Sequence, residues 1–132
     1  MSRPFEFAGR IKSIGHAING IFYVLRSQHN AWIHAALTIL VVASGFFFQL
    51  TAAEWCWIVI AATSVWTAEA LNTALELLAD AATKDFHPLI GHAKDVAAGA
   101  VLVTAIGASI IGAIIFWPYI YDLLFGAEAI AP

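Results

Sequence analysis

The sequence predicts an all-α integral membrane protein: an N-terminal amphipathic surface helix followed by three transmembrane helices. Three observations carry that reading. First, 61% of the 132 residues are hydrophobic and 11% are charged, against roughly 45–50% and about 25% in soluble domains. A chain this small keeps much of its surface in solvent, so it cannot hide that much apolar side chain in water. Second, Ser27 to Ala53 and Val96 to Tyr121 contain no Asp, Glu, Lys or Arg. Each exceeds the ~20 residues that cross a hydrocarbon core about 30 Å thick. Third, Trp55 to Ala79 is apolar apart from Glu69, Asn72, Glu76 and a few hydroxyls. A soluble globule, a disordered chain and a nucleic-acid partner are thereby excluded. A net charge of −3 gives no polyanion footprint, and the single Cys56 cannot form an intrachain disulfide.

The elements follow in order within one membrane domain, residues 1–132. Over residues 5–27, Ile11, Ile14, Ile18, Ile21, Phe22 and Leu25 recur at helical spacing and fill a stripe about 100° wide. Arg10, Lys12, Ser13, His16, Asn19, Tyr23 and Arg26 occupy the rest of the wheel. Such a helix lies on a membrane surface with its basic face towards water or anionic headgroups. The crossings are placed at 32–49, 53–80 and 94–119, with Pro88 breaking the chain between the last two and Pro118 ending the third. A short, apolar and acidic tail after Asp122 is expected to be poorly ordered. Arg3, Arg10, Lys12 and Arg26 precede the first crossing, Lys84 and Lys94 lie between the second and third, and the remaining loop and tail have no Lys or Arg. That alternation puts the N-terminus and the second loop in the cytoplasm.

The second crossing carries the chemistry. On a helical wheel Glu69, Asn72, Thr73, Glu76 and Asp80 share an arc of about 100°. Carboxylates on one stripe of a membrane helix are costly against lipid and mark functional sites by default. The plainer alternative is polar glue between packed helices. Glu69 lies about 10 Å deeper than Glu76 at 1.5 Å per residue, near the depth of a lipid headgroup hydroxyl. Glu76 and Asp80 project to the cytoplasmic interface. The loop beside them brings Lys84, Asp85, Phe86, His87, His92, Lys94 and Asp95. Carboxylates without a cysteine cluster suit a hard cation such as Mg²⁺, and lysines suit phosphate oxygens. Together they point to phosphoryl transfer from a nucleotide to a lipid hydroxyl. There is no G-x-x-x-x-G-K-[ST] loop, so any ATP is held without that cradle. His87 and His92, remote from the cysteine, do not read as a zinc site. The five tryptophans mostly flank crossings as interfacial anchors, and Cys56 reads as an inert membrane-facing thiol. A small cation or proton conductor, or a membrane scaffold, could use the same stripe, but neither needs a basic collar.

The run Glu69-Ala-Leu-Asn72-Thr-Ala-Leu-Glu76-Leu-Leu-Ala-Asp80, followed by His87 and by Ala93-Lys94-Asp95, resembles the signature of the prokaryotic diacylglycerol kinase family. That family includes undecaprenol kinases of similar size. The resemblance covers about Arg10 to Trp117. It implies a homotrimer with active sites between subunits in a bacterial inner membrane, ATP as phosphoryl donor, Mg²⁺ as cofactor and a membrane lipid alcohol as acceptor. Diacylglycerol, giving phosphatidic acid, stands first as that acceptor, with undecaprenol as the alternative. Glu69 matches a general base, Asn72 an essential site residue, and Glu76 a metal and nucleotide ligand. Asp85, Phe86, His87, Lys94 and Asp95 match nucleotide contacts, and Arg10 and His16 lie near nucleotide-contacting positions. Gln28 stands where the family often has a Glu that shares the metal with Glu76. Ala98 stands where diacylglycerol kinases tend to have a Ser. Gln28-x-Asn30-Ala31-x-Ile33-His34 looks more like the undecaprenol kinase branch. These departures bear on the lipid rather than on the reaction.

Overall fold

The computed structural model describes residues 7–83, 85 and 87–126, with side chains from Gly9 onward. Four helices follow one another: α1 (Phe7–Ser27), α2 (His29–Phe47), α3 (Ala52–Ala82) and α4 (Pro88–Phe125). The last three are each long and apolar enough to cross a membrane. At 1.5 Å per residue α3 spans about 46 Å and α4 about 57 Å, well beyond a hydrocarbon core of about 30 Å. Their ends therefore stand in or beyond the headgroup layers.

The helix limits differ from the sequence expectation where backbone chemistry overrides hydropathy. α2 begins at His29, because the polar His29 and Asn30 already belong to the helix ahead of the apolar run. α4 begins at Pro88, which occupies the first helical position instead of merely breaking the chain. A missing N–H costs nothing there, and its fixed φ suits the helix. Pro118 does not end α4, which continues through it to Phe125. Proline is tolerated inside membrane helices when the surroundings satisfy the freed carbonyl. Asp122 consequently lies within α4, and residues 127–132 of the expected disordered tail fall outside the described residues.

The turn between α2 and α3 is closed by two local devices. Leu50 N–H donates to the Gly45 carbonyl at 3.0 Å and Gln49 N–H to that of Phe46 at 3.3 Å, with Gln49 at φ 56°. This is a Schellman cap, built here without the usual glycine in the left-handed position. Thr51 and Glu54 then form a capping box for α3. Tyr119 O–H reaches across from α4 to the same Glu54 carboxylate at 2.9 Å. Leu50, Ile58 and Ile115 are buried beside this turn, with Trp55, Phe116 and Tyr119 packed against them.

α3 packs most extensively on α4, while α1 touches both α2 and α3. Elsewhere the buried positions are mostly small or polar, among them Ala31, Ala61, Ala97, Glu69 and Thr73. Large apolar side chains stand exposed all along the helices, among them Ile39, Phe46, Val96, Leu102 and Ile114. Trp32, Trp57 and Trp117 are exposed in the same way. Trp66 departs from the anchoring expectation: it is half-buried and donates its indole N–H to Thr38 Oγ1 of α2 at 3.2 Å.

Candidate active site

Among the described residues, the most deeply buried large side chain in this apolar protein is a carboxylate. Glu69 is 1% exposed, Thr73 2% and Asn72 7%. The stripe on α3 therefore turns inward at its deeper end, as the cost of facing lipid requires. Thr73 satisfies its hydroxyl by donating to the Glu69 backbone carbonyl at 2.9 Å. Glu69 Oε2 and Asn72 Oδ1 have no hydrogen-bond partner. Unpaired buried polar atoms cost about 1–3 kcal/mol each, so these two mark a polar spot that the single chain leaves unsatisfied.

Glu69 lines a cavity of about 250 Å³ between α2, α3 and α4. Asn30 and His34 are the other polar side chains on its wall, and Ile33, Ala98, Val101, Leu102 and Ala105 make the rest apolar. A larger groove of about 900 Å³ runs along the α3–α4 pair, past Thr63, Thr67, Asn72 and His92.

One to two turns towards the end of α3, Glu76 is half-buried. Its Oε1 accepts from Asn72 Nδ2 at 3.1 Å. Its Oε2 accepts from Gln28 Nε2 at 2.7 Å, across 48 residues of sequence. Gln28 is the N-cap residue of α2, yet its side chain does not cap the helix; it is spent on Glu76. Another turn on, exposed Asp80 pairs with Lys94 of α4 at 3.0 Å. An exposed pair of this kind contributes about 0–1 kcal/mol, so Lys94 can leave it for a stronger anion.

The structure thus gathers Glu69, Asn72, Glu76 and Gln28 on one face and places Lys94 at its outer end. Asp95 is exposed on the first turns of α4, and His87, also exposed, is the N-cap residue of that helix. Asp85 is exposed and donates its N–H to Thr83 Oγ1 at 3.0 Å. Phe86 and Lys84 lie outside the described residues. Arg10 and His16 are exposed on α1, about 27 and 18 Å along that helix from Gln28 at 1.5 Å per residue. One chain does not bring them to Glu76. His34 and Asn30 were not singled out as site residues from the sequence, although both sit in the Gln28–His34 stretch. Only the pairing of α2 with α3 places them beside Glu69.

A bundle of membrane-crossing helices that buries a carboxylate–amide face between an apolar cavity and a charged rim is built as a membrane-embedded enzyme. The sequence model for prokaryotic diacylglycerol kinase matches residues 15–116. The chain is 42% identical over 107 residues to an undecaprenol kinase of Bacillus subtilis, covering 81% of this chain and 87% of that protein. It is 34% identical over 113 residues to a diacylglycerol kinase of Synechocystis, covering 85% and 65%. It is 28% identical over 120 residues to a diacylglycerol kinase of Escherichia coli, covering 86% and 93%. The chain belongs to the prokaryotic diacylglycerol kinase family. It is a bacterial membrane lipid kinase, with ATP as the co-substrate that a kinase implies.

Proposed function

We propose that the protein phosphorylates a polyprenol, in preference to diacylglycerol, at the cytoplasmic face of the membrane. The observation that carries this reading is the Glu69 cavity. Glu69, one of whose carboxylate oxygens is buried without a partner, lines a space whose α4 wall is Ala98, Val101, Leu102 and Ala105. A polyprenol presents one hydroxyl on an otherwise apolar chain and is satisfied there. Diacylglycerol also brings two ester carbonyls, which this wall cannot serve. The 42% identity to an undecaprenol kinase supports the same order of acceptors.

Glu69 takes the proton of the acceptor hydroxyl as the oxygen attacks the γ-phosphorus, a role worth about 10²–10⁴-fold in rate. Glu76, Gln28 and Asn72 form the site for Mg²⁺. Among the described residues no three His, Cys, Asp or Glu side chains cluster as a metal cage. Mg²⁺ takes one or two carboxylates and completes its shell with phosphate oxygens and water. Glu76 supplies the carboxylate, Asn72 Oδ1 is buried and unpartnered, and a flip of the Gln28 amide turns its oxygen inward. An ion held by these residues would neutralise charge on the phosphates. Lys94, released from Asp80, does the same from α4. Asp85, His87 and Asp95 border the nucleotide on the cytoplasmic side, and Phe86 joins them by the family resemblance alone.

Four helices acting as one membrane domain, with α1 on the surface, complete the proposal. Support for α1 comes from its apolar stripe: Ile11, Ile14, Ile18, Ile21 and Phe22 are exposed in the single chain. A homotrimer would cover much of the exposed apolar surface of α2–α4. It would also let Arg10 and His16 of one subunit meet the nucleotide of another.

The test is a panel of undecaprenol, diacylglycerol and a lipid without a free hydroxyl, in vesicles with γ-labelled ATP. Label should enter undecaprenol fastest and the blocked lipid not at all. Glu69→Gln should lose at least about two decades of kcat while binding ATP normally. Faster labelling of diacylglycerol would reverse the order of acceptors. Full activity of Glu69→Gln would return the carboxylate to a packing role.

A further inference from the structure

We propose that His34 receives the proton from Glu69 and passes it towards the cytoplasmic interface. The inference rests on Glu69 being the base, and it concerns what happens to the proton next. Each turnover breaks the acceptor O–H bond and the bond from the γ-phosphorus to the ADP oxygen, and forms one O–P bond. The proton taken by Glu69 must leave before the next acceptor enters. Glu69 is 1% exposed, so it cannot hand that proton directly to bulk water.

The register of α2 against α3 places His34 beside it. The two helices are antiparallel and are tied at two points, Gln28 to Glu76 and Thr38 to Trp66. These ties are ten residues apart on each helix, so the pairing holds its register between them. His34, six residues inward from Gln28, stands level with Ala70, next to Glu69. Both side chains line the same cavity. The imidazole is held edge-on to the Trp66 ring, 6.5 Å between centroids at 68°. Thr38 fixes that arrangement by accepting from Trp66 and donating to the His34 carbonyl at 2.7 Å.

No other group in the cavity can take this role. From α3 the Trp66 ring stands edge-on to the imidazole, and Glu69 lines the same cavity. From α4 the wall is Ala98, Val101, Leu102 and Ala105, and from α2 it is Asn30 and Ile33. Glu69 and His34 are the ionisable side chains lining the cavity among the described residues. An imidazole has two ring nitrogens, so it can accept a proton on one and release a proton from the other. Asn30, one helical turn nearer the interface and exposed, marks the way out through water.

The experiment compares His34→Phe and His34→Gln with the unmodified protein in undecaprenol vesicles. Phe keeps a ring against Trp66 and loses the titratable nitrogen; Gln keeps a hydrogen bond but cannot carry a proton. Both variants should lose at least about tenfold in kcat near neutral pH, with the KM for ATP unchanged. Added imidazole, or a shift to alkaline pH, should restore much of the rate. Normal turnover by His34→Gln would make the residue a hydrogen-bonding positioner and overturn the proposal. A slow His34→Phe that imidazole leaves unchanged would overturn it too. Glu69→Gln separates the two assignments: as the base, it should be slow and deaf to imidazole. If Glu69→Gln is active, the base assignment falls first.

Discussion

Gln28→Glu puts the metal assignment under a quantitative strain. In the protein as it stands, the Gln28 amide donates to Glu76 at 2.7 Å, with both side chains half-buried. The substitution removes a hydrogen bond to a charged acceptor, worth about 1.5–3 kcal/mol. It also sets a second carboxylate beside the first, and two unit charges about 4 Å apart repel by roughly 4 kcal/mol at an effective dielectric of 20. Side-chain relaxation recovers part of that, leaving a net loss of about 2–4 kcal/mol without metal. At roughly 3–5 °C per kcal/mol for a chain of this size, the thermal midpoint in EDTA should fall by about 10 °C. Mg²⁺ reverses the sign of the interaction, because the repelling pair becomes a chelating one. The variant should therefore gain more stability from Mg²⁺ than the parent does, by about 1.4 kcal/mol for each tenfold gain in affinity. The assay is thermal unfolding of purified protein across a Mg²⁺ titration, with lipid phosphorylation measured alongside. A midpoint equal to the parent's in EDTA would refute the contact. A deficit that Mg²⁺ does not repair would refute the metal site.

Three further substitutions probe the same framework. Glu76→Gln should raise the Mg²⁺ concentration needed for half-maximal rate and cut kcat while assembly survives; wild-type kinetics at ordinary Mg²⁺ would remove Glu76 from the metal. Gly45→Ala sets a methyl group 2.7 Å from one Trp55 ring carbon and 2.8 Å from another, an overpacking cost of about 1–3 kcal/mol; an unchanged unfolding midpoint would show that the ring yields. Thr51→Ala removes the cap of α3 at the end remote from Glu76 and should cost about 1 kcal/mol, with kcat untouched when folded protein is assayed below its midpoint.

Much of the fold was legible because hydropathy and helical period act over long windows. The charge-free runs located α2 and α4, and the isoleucine stripe located α1. What escaped was local backbone chemistry. Nothing in the pattern marks Gln49 for the left-handed position, since glycine normally takes it, and Pro118 reads as a stop until its neighbours are seen. The inward turn of Glu69, Asn72 and Thr73 was readable from their shared arc and the cost of exposing them to lipid. The partnership of Gln28 with Glu76 came from resemblance alone, because no local rule joins residues 48 apart. His34 was hidden for the same reason. Its significance depends on the register between two helices, and that register is set by side-chain contacts rather than by the period of either helix.

The carboxylates of α3 occupy different surroundings because the helix acts as a ruler across the membrane interface. Glu69 is 1% exposed, Glu76 is half-buried, and the Asp80 side chain is 71% exposed. A lipid acceptor and a nucleotide cannot share one solvent, so in the proposed reaction their partners must stand at different depths on a rigid support. The separation from Glu69 to Glu76 is about 10 Å along the axis, too far for one ion or one hydroxyl to touch both carboxylates. The reacting γ-phosphoryl group must therefore lie between them. Asn72 is the residue at that level, three positions from one carboxylate and four from the other. Its amide nitrogen already holds Glu76, while its oxygen, buried and without a partner, is left for whatever bridges the gap.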